Sequence, residues 1–342
     1  MRIVVAPDSY KECLSSPDVA ETIASAISDL CVDAEILRIP VADGGEGTAA
    51  LLTQALGGHI HSCEVSGPMG APVSASYGIA GDTAIIDIAS ACGLQLLSPE
   101  ERNPLITTTR GVGELLLKAR RKGCRQFIVG LGGSATCDGG AGMMEVPGVR
   151  EAMRGAEVTL LCDVDNPFTG PRGAARVFAP QKGASPADVE ILEARMREMA
   201  GRILRETGTD VSGLPGAGAA GGLGGAFIAY FKAVCRSGID SVLDILQFDN
   251  ALQGASLVIT GEGKSDSQTL SGKAAYGVLR RSGRVPVALL SGRIEDREAL
   301  VAAGFNTLIE VSPRDLPIGT ALLPSVAKAN LRAAVRKLFP TP

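Results

Sequence analysis

Short apolar runs alternate with amphipathic segments at the start of the chain. Residues 2–6 predict a buried strand, and Ser16-Pro17-Asp18 is typical of a helix start, with a capping serine, a proline in the first turn and an early acid. A strand at 34–39, a loop at 41–48 and a helix through Leu56 repeat the rhythm. This alternation of strand and helix favours a parallel sheet.

The central part of the chain has a different pattern. Residues 59–88 hold three consecutive strand-like runs separated by turn signals at Gly67-Pro68 and Gly81-Asp82, which is typical of hairpins. Beyond them, both element types are predicted: helix 110–122, strand 126–131, strand 157–164 and helix 186–206. Asp163 and Asp165, two residues apart at the end of a predicted strand, would face the same side.

The C-terminal part returns to the first pattern. Its predicted strands are 256–260, 286–290 and 306–311, and they alternate with helices at 273–282, 295–303 and 322–338. Because both ends share a pattern that the middle lacks, we predict an α/β protein with a doubly wound parallel-sheet domain formed from both chain termini. This Rossmann- or flavodoxin-like domain would comprise residues 1–60 and 245–342, and an inserted mixed α/β domain would span 61–244.

Composition narrows the class of protein. The 342 residues carry a formal net charge of −4 without a dense basic stripe, which argues against nucleic acid as a partner. Eight scattered cysteines show no metal-binding spacing and no signal-peptide pattern precedes the first strand, so we expect reduced thiols in the cytoplasm. Residues 213–234 are apolar, but their glycine density favours a loop entering a buried helix over a membrane span.

Two loops rich in glycine and acidic residues each follow a predicted strand. One runs from Asp43 to Thr48, and the other runs from Gly132 to Gly140. Glycine lets the backbone come close to a ligand, and successive amides at a strand-to-helix turn form a cradle for anions. The loops therefore predict phosphate binding, and their carboxylates could serve a cation or a proton.

Other polar segments occupy similar positions. The 260–269 loop follows a buried strand, at the sheet edge where open α/β sheets bind ligands. Asp163 and Asp165 precede Pro167 and suit Mg²⁺, which prefers oxygen ligands and usually takes one or two carboxylates. Turn chemistry is the alternative for this acidic pair. Lys182 could bind a phosphate, although a solvated loop lysine is an equally good interpretation.

The loop after the first strand carries Asp8 and Lys11, which could meet a small anionic substrate and its hydroxyl group, with a surface role as the alternative for Lys11. The two histidines, His59 and His61, lie away from every glycine loop. A Ser-His-Asp hydrolase is therefore not expected.

Familiar nucleotide motifs are absent or misplaced. No P-loop string occurs, since Val258 stands where the first glycine before Gly263-Lys264-Ser265 would be. Gly216-x-Gly218-x-x-Gly221 matches the dinucleotide fingerprint, but the segment before it is polar and turn-like instead of a strand. Tight helix packing or a backbone approach to a ligand explains these glycines better than a nicotinamide cofactor does.

Six separated blocks follow one another in order along nearly the whole chain. They are Pro7 to Lys11, Asp43 to Thr48, Gly132 to Thr136, Cys162 to Pro167, Gly216 to Gly224 and Gly261 to Thr269. Together they resemble the bacterial class I glycerate kinase family. The resemblance implies ATP-dependent phosphorylation of D-glycerate to 2-phosphoglycerate, with Mg²⁺. It also implies a two-domain α/β fold whose interdomain cleft holds the site.

The residues and the resemblance together suggest roles. The candidate catalytic residues are Asp8, Lys11 and Asp138, with Asp8 or Asp138 as the base and Asp43, Glu46 and Asp266 as alternates. Substrate binding is assigned to Asp43, Gly44, Glu46, Lys182, Asp266 and Gln268. ATP phosphates are assigned to Gly132, Gly133, Ser134, Ala135, Thr136, Gly261, Glu262 and Gly263, and Mg²⁺ to Asp163 and Asp165.

The chain departs from the family pattern at two places. Cys137 stands where the family usually has asparagine beside the aspartate at Asp138, and the connection near 145–157 is shorter than usual. These departures motivate an alternative function, a catalytically impaired relative that senses glycerate, another sugar acid or a nucleotide. A nicotinamide-linked dehydrogenase is a third interpretation, which depends on the glycine string alone.

Overall fold

The computed structural model describes residues 1–339. The strands of this part of the chain are β1 (Arg2–Val5), β2 (Glu35–Arg38), β3 (His59–Ser66), β4 (Pro72–Ala80), β5 (Thr83–Asp87), β6 (Gln126–Gly130), β7 (Glu157–Leu161), β8 (Val234–Arg236), β9 (Leu257–Ser265), β10 (Val287–Ile294) and β11 (Thr307–Glu310). Its α-helices are α1 (Ser16–Ser28), α2 (Thr48–Ala55), α3 (Ala89–Cys92), α4 (Arg110–Arg121), α5 (Ala141–Met144), α6 (Val149–Ala152), α7 (Ala174–Phe178), α8 (Pro186–Thr207), α9 (Leu223–Phe231), α10 (Gly238–Ile245), α11 (Phe248–Ala251), α12 (Ala274–Arg281), α13 (Arg297–Ala303), α14 (Ile318–Ala321) and α15 (Pro324–Leu338). The predicted α/β fold class is confirmed.

The described residues form two compact units. The first unit combines Met1–Asp43 with the chain from Ile239 onward, and the second is Gly44–Gly238. The division comes earlier than residue 60, where the hydrophobic pattern places it, because α2 packs on strands of the second unit. Gly78 of β4 lies so close to this helix that a Cβ atom there would meet Thr53 Oγ1 at 1.6 Å.

The first unit contains a five-stranded sheet in the order β11-β10-β9-β1-β2. All of its neighbouring strands are parallel. Its apolar core joins the strands to α1 and α15 through residues such as Ile3, Ile23, Leu290 and Leu331. The strand order reverses between β1 and β9, and ligands of open α/β sheets bind at the carboxyl side of such a switch point.

The second unit contains a six-stranded sheet in the order β3-β4-β5-β6-β7-β8. The hairpins predicted from its sequence correspond to the antiparallel pairs β3–β4 and β4–β5. From β5 to β8 the pairs are parallel. Apolar residues of α4 and α9, including Leu116 and Phe227, bury the sheet residues Phe127 and Val129. A second cluster, around Phe168 and Met196, packs α8 against α7.

β7, β9 and β10 differ most from their predicted ranges. β9 and β10 continue to Ser265 and Ile294, because the two strands stay paired through Arg293↔Lys264 and Ile294↔Ser265. The hydrophobic pattern did not predict these extensions, because they carry polar side chains. β7 ends at Leu161, the last residue that it pairs with β8. Asp163 and Asp165 therefore lie in a loop after the strand, and the predicted strand 157–164 is wrong at this end.

The short connection between α5 and β7 is packed into the core of the second unit. It contains α6, and its apolar residues Val146, Val149 and Met153 are buried in the same cluster as the sheet. Gly148 and Gly155 have positive φ and turn the chain on either side of α6. The connection is thus short and yet fully integrated in the fold.

The glycine-rich segment before α9 packs closely against neighbouring backbone. A Cβ atom at Gly218 would meet the Pro167 carbonyl oxygen at 2.2 Å, and one at Gly221 would meet the Thr136 carbonyl oxygen at 2.0 Å. These distances favour the packing interpretation over a dinucleotide fingerprint. The only helix within 213–234 is α9, and among the described residues no helix is long and apolar enough to cross a membrane.

Replacing Gly221 by alanine is expected to destabilise the protein by about 3 kcal/mol or more, because the new Cβ would clash with backbone at a position that also has φ of +67°. Gly213→Ala is the matched control, since a Cβ there would meet nothing within 4 Å. Urea unfolding of both variants measures the difference. Equal midpoints for the two variants would show that the glycine string is not tightly packed.

Candidate functional site

The loop after β1 runs beside β9 at the switch point of the first sheet. The Ala6 amide donates to the Ile259 carbonyl (2.7 Å), and the Asp8 amide donates to the Gly261 carbonyl (2.9 Å). These bonds continue the strand pairing past the end of β1. At Gly261 a Cβ atom would meet the Leu290 carbonyl oxygen at 1.9 Å, so this position requires glycine. The arrangement places Asp8 beside the start of the predicted Gly261–Gly263 segment.

Asp8 is a buried carboxyl group with an unusual pKa. Its burial, followed by the nearby negative charge of Asp43, raises the pKa to about 7. The Ser9 amide, which donates to Asp8 Oδ1 at 2.6 Å, and the positive charge of Lys11 oppose this shift. A carboxyl group with this pKa changes protonation state near neutrality, which suits a general base.

Glu262, predicted to bind nucleotide phosphates, is the centre of a hydrogen-bond network. Its Oε1 atom accepts from Thr269 Oγ1 (2.6 Å) and Ser265 Oγ (2.9 Å). Its Oε2 atom lies 3.5 Å from Lys273 Nζ. Burial raises the pKa of Glu262, and these partners oppose the shift. The network holds the loop after β9 against the start of α12, which Lys273 precedes.

Asp266 and Gln268 stabilise a turn in the same unit. Asp266 Oδ1 accepts from the Gln268 amide (2.9 Å), which caps a short 3-10 helix at 267–271. Lys264 bridges the carboxylates of Asp266 (3.4 Å) and Glu295 (2.9 Å). Both predicted substrate-binding residues thus lie directly after β9, and their contacts are to this segment and its neighbours.

In the second unit, the two glycine loops predicted from the sequence lie against each other. The Gly132 amide donates to the Gly44 carbonyl (3.4 Å). A Cβ atom at Gly132 would meet Gly45 Cα at 2.6 Å, and one at Gly44 would meet Leu161 Cβ at 2.9 Å. The absence of side chains permits this approach, which aligns the start of α2 with the loop after β6.

Asp87, at the end of β5, fixes the first of these loops. Its carboxylate accepts from the Gly47 amide (3.0 Å) and the Ala49 amide (3.0 Å) at the N-terminus of α2. Burial raises the pKa of Asp87 to about 7, against the effect of the two amides, and the charge of exposed Glu46 adds to the rise. Sequence reasoning missed this residue, although an acid that ends a predicted strand is the signal that selected Asp163.

Because the pKa of Asp87 is higher in the folded protein than its ordinary value, the folded state binds more protons between about pH 4 and 7. The stability this provides is complete at low pH and is lost as the pH rises through 7. We expect Asp87→Asn to reduce the fall in unfolding free energy between pH 5 and pH 8 by about 2–3 kcal/mol, as urea titrations can measure. Exposed Asp33→Asn is the control, and an unchanged pH dependence in Asp87→Asn would contradict the assignment.

Lys182 lies beneath the loop that follows β6. Its side chain is 2% exposed, and Nζ donates to Ser134 Oγ (2.8 Å) and to the Thr136 carbonyl (2.7 Å). Burial lowers the pKa of Lys182. Among the described residues it forms no ion pair, and the negative charge of Asp138 only partly opposes the effect of burial on its pKa. A buried cation of this kind, next to a glycine loop, fits the binding of a phosphate group.

Asp138 accepts hydrogen bonds from the loop that follows it and from Thr109. Its carboxylate accepts from the amides of Gly140 (3.0 Å) and Gly142 (3.1 Å) and from both the amide (2.9 Å) and the hydroxyl group (2.8 Å) of Thr109. Four donors leave little acceptor capacity for a substrate hydroxyl, so the geometry favours Asp8 over Asp138 as the base. Adjacent Cys137 is buried, which raises the pKa of its thiol to about 11.

Asp163 and Asp165 follow β7 in an exposed loop. Asp163 Oδ1 accepts from the Gly238 amide (3.0 Å), and Asp165 accepts from Arg172 (2.6 Å), which lowers the pKa of Asp165. Within residues 1–339 no group of three or more His, Cys, Asp and Glu side chains is arranged to hold a metal ion. Two carboxylates nevertheless fit Mg²⁺, which keeps several waters and shares phosphate oxygens.

Two further residues were not singled out by the sequence. Tyr10 is buried and donates its hydroxyl to the Leu290 carbonyl (2.8 Å), which fixes the loop between Asp8 and Lys11. Thr109, just before α4, donates its hydroxyl to Asp138, and the same hydroxyl oxygen accepts from the Met143 amide (3.0 Å). Both act through tertiary contacts, which a linear pattern does not reveal.

Comparisons with known proteins agree with this architecture. The model of the glycerate kinase family matches residues 3–152 and 144–341. Glycerate kinase of Bacillus subtilis (strain 168) is 41% identical over 354 residues, covering 94% of this chain and 93% of that protein. Glycerate 2-kinase of Escherichia coli (strain K12) is 40% identical and covers 92% of each. A crystal structure assigned as glycerate kinase 2 from Salmonella typhimurium LT2 has a TM-score of 0.84 at 39% identity, covering 99% and 97% of the two chains.

The two matches of the family model meet at residues 144–152, in the short connection that contains α6. The alignment of 354 residues with the Bacillus subtilis protein is longer than the 342 residues of this chain, so it contains gaps. The matches on either side of the connection extend almost from one end of the chain to the other. The chain therefore belongs to the glycerate kinase family and is a phosphotransferase.

Proposed function

We propose that the protein transfers the γ-phosphoryl group of ATP to D-glycerate and forms 2-phosphoglycerate and ADP, with Mg²⁺ bound. The single observation that carries the proposal is the buried Lys182 charge at the 132–136 loop, which has no ion-pair partner among the described residues. The similarity to a relative named glycerate 2-kinase supports the choice of acceptor hydroxyl.

The first unit would provide the base. In its ionised form, Asp8 would accept the proton of the glycerate 2-hydroxyl group while that oxygen bonds to the γ-phosphorus. The bond from the γ-phosphorus to the bridging oxygen breaks, and ADP leaves with that electron pair. Lys11, exposed and close to Asp8, would pair with the substrate carboxylate. Asp43 raises the pKa of Asp8 and would keep it effective near neutrality.

The second unit would hold the nucleotide phosphates. Backbone amides of the 132–136 loop and Lys182 would supply hydrogen bonds and positive charge, which is most of what phosphoryl transfer asks of a protein. Asp163 and Asp165 would hold Mg²⁺, which offsets negative charge on the transferring group. Glu262 and Asp266 have structural roles in this proposal, because their contacts maintain the loop after β9.

An ADP-release assay with D-glycerate, ATP and Mg²⁺, with and without a chelator, tests the proposal. Metal-dependent release, with a phosphorus NMR signal of 2-phosphoglycerate, is the expected result. Asp163→Asn should abolish turnover, and near-normal turnover would remove Asp163 from the metal site. No ADP release from folded protein that is stabilised by either substrate would favour the alternative, a catalytically impaired sensor.

A further inference from the structure

A cavity of about 610 Å³ in the second unit is not explained by phosphoryl transfer. It is bounded by the end of α6, the start of β7, the end of α9 and the edge strand β8. The charged residues of its walls are Arg150, Arg154, Glu157, Lys232 and Arg236, and the ring of Tyr230 lies among them. Its volume lies in the range of about 300–1,000 Å³ that is typical of small-molecule sites.

The cavity lies mainly at the amino end of β7, whereas the loop with Asp163 follows the carboxyl end of that strand. It is lined by the first residues of β7, from Glu157 to Thr159. On β8 the cavity extends to Arg236, which is paired with Leu161 at the carboxyl end of β7. Its lining residues include neither Asp163 and Asp165 nor any residue of the 132–136 loop. The cavity is therefore built from a different set of residues than the candidate phosphoryl-transfer site.

Positive charge is in excess in this cavity. Arg150 is bound to Glu206, and its guanidinium lies 4.7 Å from the centre of the Tyr230 ring. Arg154, Lys232 and Arg236 are exposed, and within residues 1–339 none of them takes part in an ion pair. Glu157 is the carboxylate among the lining side chains. Three basic side chains that form no ion pair among the described residues thus line the cavity together with one carboxylate. They come from three different parts of the chain.

We propose that this cavity is a second ligand site, which binds a small polyanion with two or more phosphate groups. Arginine side chains bind phosphate oxygens in a bidentate manner, and a lysine adds a compact charge. The cations are distributed around the walls, which favours an anion with several charged groups over a single phosphate. Arg150 and Arg154 belong to the short connection where the family-model matches meet, so the site depends on this chain's own connection.

Methionine methyl groups can report occupancy of the cavity directly. Met153 lines it, whereas Met196 and Met199 line a separate pocket beside α8. In protein labelled with ¹³C at the methionine methyl groups, titration with inorganic pyrophosphate should shift the Met153 resonance in a saturable manner. Met153→Leu assigns this resonance. The Met196 and Met199 resonances should not follow the Met153 titration curve.

Charge removal then tests the binding mode. Arg154→Gln/Arg236→Gln is expected to weaken the pyrophosphate response of Met153 at least tenfold while the basal turnover is unchanged. Arg121→Gln/Lys122→Gln, an exposed and unpaired basic pair on α4 and just after it, is the matched control and should retain the wild-type affinity. Lys182→Met should also leave the Met153 response intact.

Three results would overturn the proposal. In the first, the Met153 resonance shows no saturable shift. In the second, the two double variants weaken pyrophosphate binding equally, which indicates a general charge effect. Alternatively, Lys182→Met would abolish the Met153 response, which indicates that pyrophosphate acts from the phosphoryl-transfer site. None of these outcomes depends on whether the protein phosphorylates glycerate, so the test is independent of the proposed function.

Discussion

Asp8→Asn is expected to lower kcat by about 10²–10⁴-fold, the usual contribution of a positioned general base. In the wild-type protein, kcat/KM should rise with pH and level off above about 7, because burial and the charge of Asp43 raise the pKa of Asp8 to about 7 and only the ionised form accepts a proton. The residual activity of the variant should lack this rise. A pH profile of both proteins measures the difference.

A stability measurement separates loss of the base from loss of the fold. Since the folded-state pKa of Asp8 is raised, its ionisation destabilises the protein as the pH passes 7. Asp8→Asn should therefore be more stable than the wild type at pH 8 although it is less active. Exposed Glu12→Gln is the nearby control for both measurements. An Asp8→Asn variant with near-wild-type kcat would mean that another group takes the proton.

Lys182→Met is expected to lower kcat/KM for ATP by about 10²–10³-fold, the effect of removing one preorganised electrostatic donor. Methionine retains the length of the side chain but loses its charge and its hydrogen bonds to Ser134 and Thr136. Because burial lowers the pKa of Lys182, its charge is costly within the fold, and an apolar side chain of similar size should fold normally.

The kinetic signature distinguishes the phosphate role of Lys182 from a role in substrate binding. Steady-state kinetics with each substrate varied in turn should place the loss on ATP. Lys122→Met, on the surface at the end of α4, serves as the matched control. If only the KM for D-glycerate increases, Lys182 binds the acceptor and the assignment of the 132–136 loop to nucleotide phosphates loses its main support.

Much of the fold is predictable because its elements are local and strongly patterned. The runs at Ile3 and Ile259 are apolar and short, and helices with prolines in the first turn are capped by Ser15, one residue before the predicted cap, and by Ser185. β8 escaped prediction because all three of its residues are exposed and no pattern distinguishes them from a loop. The extension of β9 escaped prediction because Lys264 is in a strand only by virtue of its pairing with β10.

The candidate site is predictable to the level of its loops but not of its roles. Loops after strands carry Asp8, Gly44 and Gly132, and the structure places each at the carboxyl end of a parallel strand or against another such loop. Which carboxylate is saturated by donors, as Asp138 is, depends on residues far away in sequence such as Thr109. The burial that raises the pKa of Asp87 is equally a property of the assembled unit.

The interior position of β1 in its sheet has a consequence for biosynthesis. β1 lies between β2 and β9, and Ile3 is paired with Leu257. During translation, the N-terminal segment therefore leaves the ribosome long before its second neighbouring strand exists. The second unit, whose residues are contiguous, can fold in the meantime. We expect the usual N-to-C order of cotranslational folding to be reversed in this chain, with the first segment exposed to chaperones until the last part of the chain emerges.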